Sequence, residues 1–536
     1  MHGRPPEQTS FLITRNVGAE RRRSASVGIG CALAALVLYL VTCAPGVQWQ
    51  DSGVHQYRVI LRVVENPLGL ALSHPLHHWI ARFAVWALPV GNPAYAVNLV
   101  SVFGGAAGVG VLAAVVLRLS HSTVAAICAA AACGLAHIYW QMSVVAETYT
   151  LAAALMTLEW LLLYQYLRTR EPLWFVAVFF INGLHVADHL LGLLTLVTYA
   201  GLFLERALRR KLAWSWLAAI AVAWMLGALP YLLIIVAHLA RTGDFGATVH
   251  SALFGVGATG EGYAANVLNV SLSWRLAGEA LAYLGYNFPS LALLVAFLGV
   301  GAPLRGRTRL FRVVLLAQTL IIVVFVARYT IKDQLTFYVP VCALVALWFG
   351  LGVARLLRFA TLVDRRRAVV AILVVHALLP IGVYLWFPAA ARSRGWLATR
   401  LPTVPFRDSY DHFLRPWKTG DHSAARFAAA ALQAAGPGGW FLANTTVGYA
   451  TAVYYRTHGG PPGVRVFSFD DDLNDPRGPR LTRAELARHL GENGVVVVAP
   501  FETLTEFWSD ALRVERGGTF WRGVSAVPTS GPGERG

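Results

Sequence analysis

Apolar runs of bilayer-crossing length alternate with short arginine clusters over the first 388 residues, and that alternation restricts the chain to a polytopic membrane fold. A hydrophobic segment runs from about Val27 to Pro45. Further runs lie at about 93–117, 122–139, 146–167, 172–186, 188–205, 213–238, 281–302, 310–327, 335–354 and 368–388. At roughly 20 apolar residues per crossing, these make about eleven spans. The intervening turns alternate in charge. One set holds Arg168 and Arg170, then Arg206, Arg209, Arg210 and Lys211, then Arg305 to Arg312, then Arg355 to Arg367. Arg4, Arg15, Arg21, Arg22 and Arg23 precede the first span. Cationic loops stay on the cytoplasmic side. The N-terminus is therefore expected inside and residues 389–536 outside. Reporter fusions at residues 360 and 400 should give opposite compartments; the same compartment for both removes the last span.

Composition excludes several functions. Only 14% of the 536 residues are charged, against about 25% in soluble domains. The net charge of +17 sits in the clusters that set orientation, so it is no nucleic-acid footprint. Cys31, Cys43, Cys128, Cys133 and Cys342 all fall in or beside apolar runs, which writes neither a disulfide framework nor a zinc site. Lysine occurs only at Lys211, Lys332 and Lys418, the bias of a high-GC bacterial genome. The expected location is a bacterial plasma (inner) membrane.

The opposite side collects other chemistry. Directly after the first span comes Trp49-Gln50-Asp51-Ser52-Gly53, opening a long outer loop, 47–91. That loop carries Arg58, Arg62, Glu65, His74, His77, His78 and Arg82, and a connector of that length usually has a function. Residues 76–90 are apolar but too short to span and read as an amphipathic helix on the outer surface. Residues 389–536 read as a small α/β domain. Its strands are expected at Trp440 to Asn444, Val464 to Phe469 and Val495 to Ala499, its helices at 422–435, 446–456 and 482–491. Ser530 to Gly536 are expected to be disordered.

Each ionisable group on that side has a functional and a plainer reading. Asp51 is a candidate general base for an acceptor hydroxyl, or a span-end charge reaching water. His74 and His78 are i,i+4 partners behind Pro75, a first-turn residue; they face a phosphate or sugar, or belong to a plain interfacial helix. A metal held by His74, His77 and His78 needs further ligands, which the sequence does not identify, so a divalent metal has no support. Glu147, opening the third of the runs after the loop, faces a pocket or complements a helix N-terminus. His185, Asp188 and His189 interrupt an apolar stretch and must meet water or one another. Arg328 and Lys332, with Asp333, form a cationic outer loop able to clamp a phosphate, or a flank of the span. Asp470-Asp471-Asp472 with Asp475 lacks the spacing of a calcium loop and reads as a solvated turn.

The order of these elements resembles the transmembrane protein O-mannosyltransferase-related family of the GT-C glycosyltransferase superfamily. Asp51-Ser52-Gly53, His74-Pro75, Glu147-Thr148-Tyr149-Thr150-Leu151, Gly183-Leu184 with His189, and Lys332-Asp333-Gln334 leading into Phe337-Tyr338-Val339-Pro340 stand where that family's motifs stand. Val54 replaces an acidic residue, Leu76-His77 replaces Pro-Gly, and Asp188 stands where Asn is common. The resemblance implies a mainly α, GT-C-like bundle, residues 1–388, with an extracytoplasmic α/β domain, residues 389–536. It implies inverting transfer of a hexosyl or pentosyl group from a polyprenyl-phosphate donor to a protein hydroxyl, lipid or glycan. Asp51 would be the base, Arg328 and Lys332 would face the leaving phosphate, and the histidines the acceptor or sugar. The competing classes are a transporter or flippase, which usually carries inverted repeats and midplane charges, and a non-catalytic membrane scaffold.

Overall fold

The computed structural model describes residues 6–256, 262–269, 271, 273–302, 308–331, 333–359 and 363–526. The expected disorder of Ser530 to Gly536 lies outside them. The chain rises through α1 (Pro6–Thr42), whose Gly18–Thr42 portion is a span. The outer loop follows and is itself helical. It contains α2 (Gln50–Leu61) and α3 (Pro75–Ala87). On α3 the aromatic residues Trp79, Phe83 and Trp86 are exposed along one face, while His77, His78 and Ala81 are buried on the other. That division is the amphipathic pattern of a helix lying in a bilayer interface.

The bundle continues with α4 (Pro93–Ser120), α5 (Thr123–Gly134), α6 (His137–Ser143), α7 (Tyr149–Thr169), α8 (Pro172–Asp188), α9 (Gly192–Leu208) and α10 (Trp216–Thr242). Asn92 starts α4 by accepting from the amides of Ala94 and Tyr95 ahead of Pro93, a standard capping arrangement. Then come α11 (Phe245–Phe254), α12 (Ala264–Leu268), α13 (Trp274–Asn287), α14 (Ala292–Val300), α15 (Thr308–Arg328), α16 (Val339–Phe359) and α17 (Val363–Ser393). In α4 and α16, 83% and 89% of the apolar window is buried, against 17% in α1 and 28% in α10. The first pair therefore forms the centre and the second faces lipid. Gly183 and Gly227 let α8 and α10 cross closely: a Cβ on Gly183 would stand 2.3 Å from the Trp224 carbonyl, and one on Gly227 2.1 Å from that of Phe180. Small residues at such crossings allow membrane helices to approach.

The expected count of about eleven spans is reduced. Among the described residues, seven helices are long and apolar enough to cross, or up to nine if α5–α6 and α13–α14 each count as one bent span. Those pairs bend by 70° and 107°. The runs expected at 172–186 and 188–205 form α8 and α9, 17 residues each. At 1.5 Å per residue each is about 26 Å long, short of the roughly 30 Å hydrocarbon core.

The remaining chain forms α18 (Ser409–Leu414), α19 (Ser423–Ala435), β1 (Trp440–Ala443), α20 (Thr445–His458), β2 (Arg465–Ser468), β3 (Asp471–Asp472), α21 (Arg483–Gly491), β4 (Val496–Val498), α22 (Glu502–Phe507), β5 (Leu512–Glu515) and β6 (Trp521–Ser525). The sheet order is β3-β2-β1-β4-β6-β5. β1 runs parallel to β2 and β4; the outer pairings are antiparallel. All three expected strands and all three expected helices occur within a residue or two. This unit is not separate from the outer loop. Val47, Trp49, Val54 and Tyr57 share its apolar core, and Trp49 Nε1 donates to Ser423 Oγ at 2.9 Å. Gly53 makes the seam possible: a Cβ there would lie 2.7 Å from the Gln48 carbonyl and 3.4 Å from the Ala450 amide. The role of Gly53 is close helix approach, not the tight turn its Ser-Gly context suggests.

Candidate functional site

Three carboxylates from three outer segments meet at the top of the bundle. Asp51 is in the first turn of α2. Glu147 precedes α7, and Asp333 precedes the 3-10 turn Gln334–Tyr338. Asp51 keeps solvent-accessible surface although protein atoms surround it. Burial, and then the charge of Asp333, push its pKa up to about 7. Glu147 is more enclosed; burial first and the Asp51 charge second raise its pKa well above the usual carboxylate range. Neighbouring carboxylates cannot all ionise easily. Asp51, raised to about 7, is the group poised to exchange a proton near neutral pH.

Local bonding fixes these positions. Ser52 Oγ donates to Glu147 Oε1 at 2.9 Å, so α2 and the α7 entrance are tied directly. Ser101 of α4 receives the Glu147 amide at 2.9 Å and donates to the Glu147 carbonyl at 2.7 Å. Gln334 Nε2 donates to the Val326 carbonyl at 2.8 Å, which holds the Asp333 turn on the end of α15. Gln50, just before Asp51, has φ of 55°, and His74 has φ of 45°. Non-glycine residues rarely adopt this left-handed region, and such strain gathers at functional sites.

An aromatic and histidine wall adjoins the carboxylates. Tyr149, two residues after Glu147, has its ring 4.9 Å from that of His189, and His189 lies 5.0 Å from His74. Phe337 of the Asp333 turn closes the group at 5.3 Å from Tyr149 and 5.6 Å from His189. His74 Nδ1 bonds the Asp188 carbonyl at 2.7 Å. His55, one helical turn beyond Asp51, meets His74 edge-on and His77 at a tilt, with ring centroids 5.6 and 5.2 Å apart. Burial, ahead of the neighbouring charges, lowers His74 to about 4 and His77 and His78 to about 3. These rings are thus neutral hydrogen-bonding groups, not cations.

The expected residues divide accordingly. Asp51, Glu147 and Asp333 converge, with His74 and His189 beside them. His78 does not join: it lies on the buried side of α3 against Trp79, and His77 takes the place beside His55. His185 turns away into the bundle, where Nδ1 meets Glu159 Oε1 at 3.0 Å. The Asp188 carboxylate is fully buried, and neither oxygen has a hydrogen-bond partner among the described residues. The stretch 185–189 is therefore no solvated hairpin tip. Arg328 donates to the carbonyls of Val267 and Asn269 and lies over the Phe325 ring, so it braces the α12 segment. Lys332 lies outside the described residues. Among the described residues, no group of three or more His, Cys, Asp or Glu is placed to hold a metal ion. The acidic run is ion-paired, not merely solvated: Arg465 holds Asp472, and Arg480 holds Asp470 and Asp471.

Sequence reading missed His55, Tyr149, Phe337 and Glu159. His55 had a signal, its i+4 spacing from Asp51. Glu159 had a stronger one, as a carboxylate inside an apolar run. It accepts from Asn182 Nδ2 at 3.2 Å and from the Tyr199 hydroxyl at 2.9 Å, besides meeting His185.

Comparison with known proteins bears on this arrangement. Residues 71–212 match the family model described as the protein O-mannosyl-transferase TMEM260 N-terminal domain. That match takes in His74, Glu147 and His189 but stops short of Asp51 and Asp333. The crystal structure of ArnT from Cupriavidus metallidurans bound to undecaprenyl phosphate superposes with a TM-score of 0.55 at 16% identity, covering 94% of this chain and 98% of that one. Its apo state gives 0.55 at 15%, covering 94% and 97%. The Archaeoglobus fulgidus oligosaccharyltransferase complex with Zn and sulfate is more distant, with a TM-score of 0.49 at 10%, covering 93% and 73%. The chain thus has an ArnT-like GT-C fold with a small C-terminal sheet, and over residues 71–212 it resembles the O-mannosyltransferase N-terminal domain.

Proposed function

We propose that the protein is a membrane glycosyltransferase that moves a sugar from a polyprenyl-phosphate donor to an acceptor hydroxyl at the outer membrane face. The observation that carries the reading is Asp51: a carboxylate near Glu147 and Asp333 whose pKa is raised to about 7 by burial and by Asp333. The ArnT neighbour, crystallised with undecaprenyl phosphate, supports the donor class. In this reading Asp51 takes the proton of the acceptor hydroxyl. The acceptor oxygen attacks the anomeric carbon opposite the phosphate. The bond from that carbon to the phosphate oxygen breaks, and polyprenyl phosphate leaves with the electron pair. One displacement inverts the anomeric centre, by analogy with inverting hydrolysis, where one carboxylate acts as base. Ser52 Oγ, which donates to Glu147 Oε1, keeps that carboxyl beside Asp51. Arg328 and Lys332 would supply positive charge near the leaving group, Arg328 with the N–H groups not already on carbonyls. Residues 389–536 would lie on the acceptor side.

The test uses purified protein in lipid nanodiscs. Undecaprenyl phosphate should bind saturably, and one member of a panel of polyprenyl-phosphate sugars should be turned over to a product of inverted configuration. No binding by any polyprenyl phosphate rejects the donor class. A product of retained configuration rejects the single displacement.

A further inference from the structure

A cavity lies at the far end of α2. It is a cleft of about 560 Å³ where the C-terminal end of α2, the outer ends of α10 and α11 and the β3 turn of the C-terminal unit meet. Its volume falls in the range of small-molecule sites, roughly 300–1,000 Å³. We propose that this cleft is an acceptor subsite for a neutral, hydroxyl-rich saccharide; the proposal rests on the transferase reading above and names its acceptor class.

The lining decides the ligand chemistry. Five arginines face four carboxylates around the cleft. Several are paired with one another: Glu65 is held by Arg241 and His238, and Arg480 by Asp470 and Asp471. Near balance of charge disfavours an isolated phosphate as much as a cation. The charged groups around the lining also disfavour an isoprenoid or acyl tail. A sugar hydroxyl both donates and accepts, and alternating guanidinium donors and carboxylate acceptors satisfy both roles. Two donors are unengaged: the Arg62 and Arg477 guanidinium groups have no hydrogen bond or ion pair among the described residues. Asp475, exposed beside Arg477, supplies acceptor oxygens. Tyr57 and Tyr449, with rings 5.0 Å apart, add flat apolar surface.

The cleft is also placed for the reaction. Asp51, His55 and Arg58 are spaced 4 and 3 residues apart and so follow one face of α2, and Arg62 caps its C-terminal end in the left-handed region. Asp51 lies about 15 Å from that end of the helix, at 1.5 Å per residue. An oligosaccharide spans that distance; a monosaccharide does not. Arg58 holds the wall between them, donating to the carbonyls of Leu72, Ser73 and Val64.

The experiment measures ligand binding to the full chain in nanodiscs by saturation-transfer NMR. The probes are maltotriose, mannotriose, chitotriose and a serine- and threonine-rich heptapeptide. At least one trisaccharide should bind. Arg62→Ala with Arg477→Ala, and separately Asp475→Asn, should weaken it by about tenfold or more, the effect of losing charge-assisted hydrogen bonds. Equal melting temperatures in all variants show that the fold is intact. Absence of trisaccharide binding, binding indifferent to the cleft substitutions, or cleft-dependent binding of the peptide alone each overturn the proposal. Undecaprenyl phosphate is titrated into the same sample. Its failure to bind while a trisaccharide binds counts against the transferase reading alone; the reverse counts against the cleft alone.

Discussion

Asp51→Asn should lower sugar transfer roughly 10²- to 10⁴-fold, the usual contribution of a positioned acid–base group, with donor binding nearly unchanged. The amide keeps the shape of the carboxylate but cannot take a proton. The site is built so that this loss is felt. Glu147 is held in place by Ser52 and by the Ser101 pair, and burial first and the Asp51 charge second raise its pKa. The pH profile gives an independent check. The base works when ionised, so turnover of the unmutated protein should rise as pH increases through about 7, where burial and Asp333 have moved Asp51. Asp51→Asn should lose that limb as well as rate. Near-normal turnover with the limb intact would move the base to Asp333 or Glu147, each tested by its own amide. Asp333→Asn has a distinct expected signature. Removing its charge removes one cause of the upward shift, so the limb should move to lower pH.

The grouping of these residues on one side was legible because membrane topology sorts residues before they fold. Once the arginine clusters are set on one side, Asp51, Glu147, His189 and Asp333 share the other, however far apart in sequence. The tail strands were legible as short apolar runs such as Val496–Val498. β5 and β6 were not, because Arg513, Glu515 and Arg522 break the apolar pattern in an antiparallel margin that is half exposed. The span count failed for a different reason. Hydropathy is additive along the chain and does not register a bend, so α13–α14 reads as one run although it turns by 107°. His185 and His189 show the limit at single residues. They sit one helical turn apart by number, but α8 ends at Asp188 and His189 takes extended backbone. One ring then enters the bundle and the other the aromatic and histidine wall. Arg328 carries the same lesson, since the carbonyls that occupy it come from residues 267 and 269, some sixty positions away.

Glu159→Ala should destabilise the bundle by about 3–5 kcal/mol, the cost of removing one partner from a buried polar pair. Glu159 is fully buried in α7 and serves two neighbouring helices: Asn182 and His185 of α8 and Tyr199 of α9. The network goes further, since Trp224 of α10 donates to Asn182 Oδ1 at 3.1 Å. Truncation takes the carboxylate partner from His185 and Tyr199, both buried, while Asn182 Nδ2 keeps the Gly192 carbonyl and Thr195 Oγ1; for a buried group an unmade bond costs more than a made one gains. Glu159→Gln keeps the volume and one acceptor oxygen. It should cost distinctly less than the alanine change, which separates lost hydrogen bonding from lost packing. The effect should also reach the site, because α8 ends at Asp188, whose carbonyl holds His74, and His189 follows at once. Reversible unfolding in mixed micelles reads the stability, and the His74 and His189 imidazole resonances read the site. An alanine variant within about 0.5 kcal/mol of the parent, with both histidines unmoved, would show that helix packing at Gly183 and Gly227 holds α8 unaided.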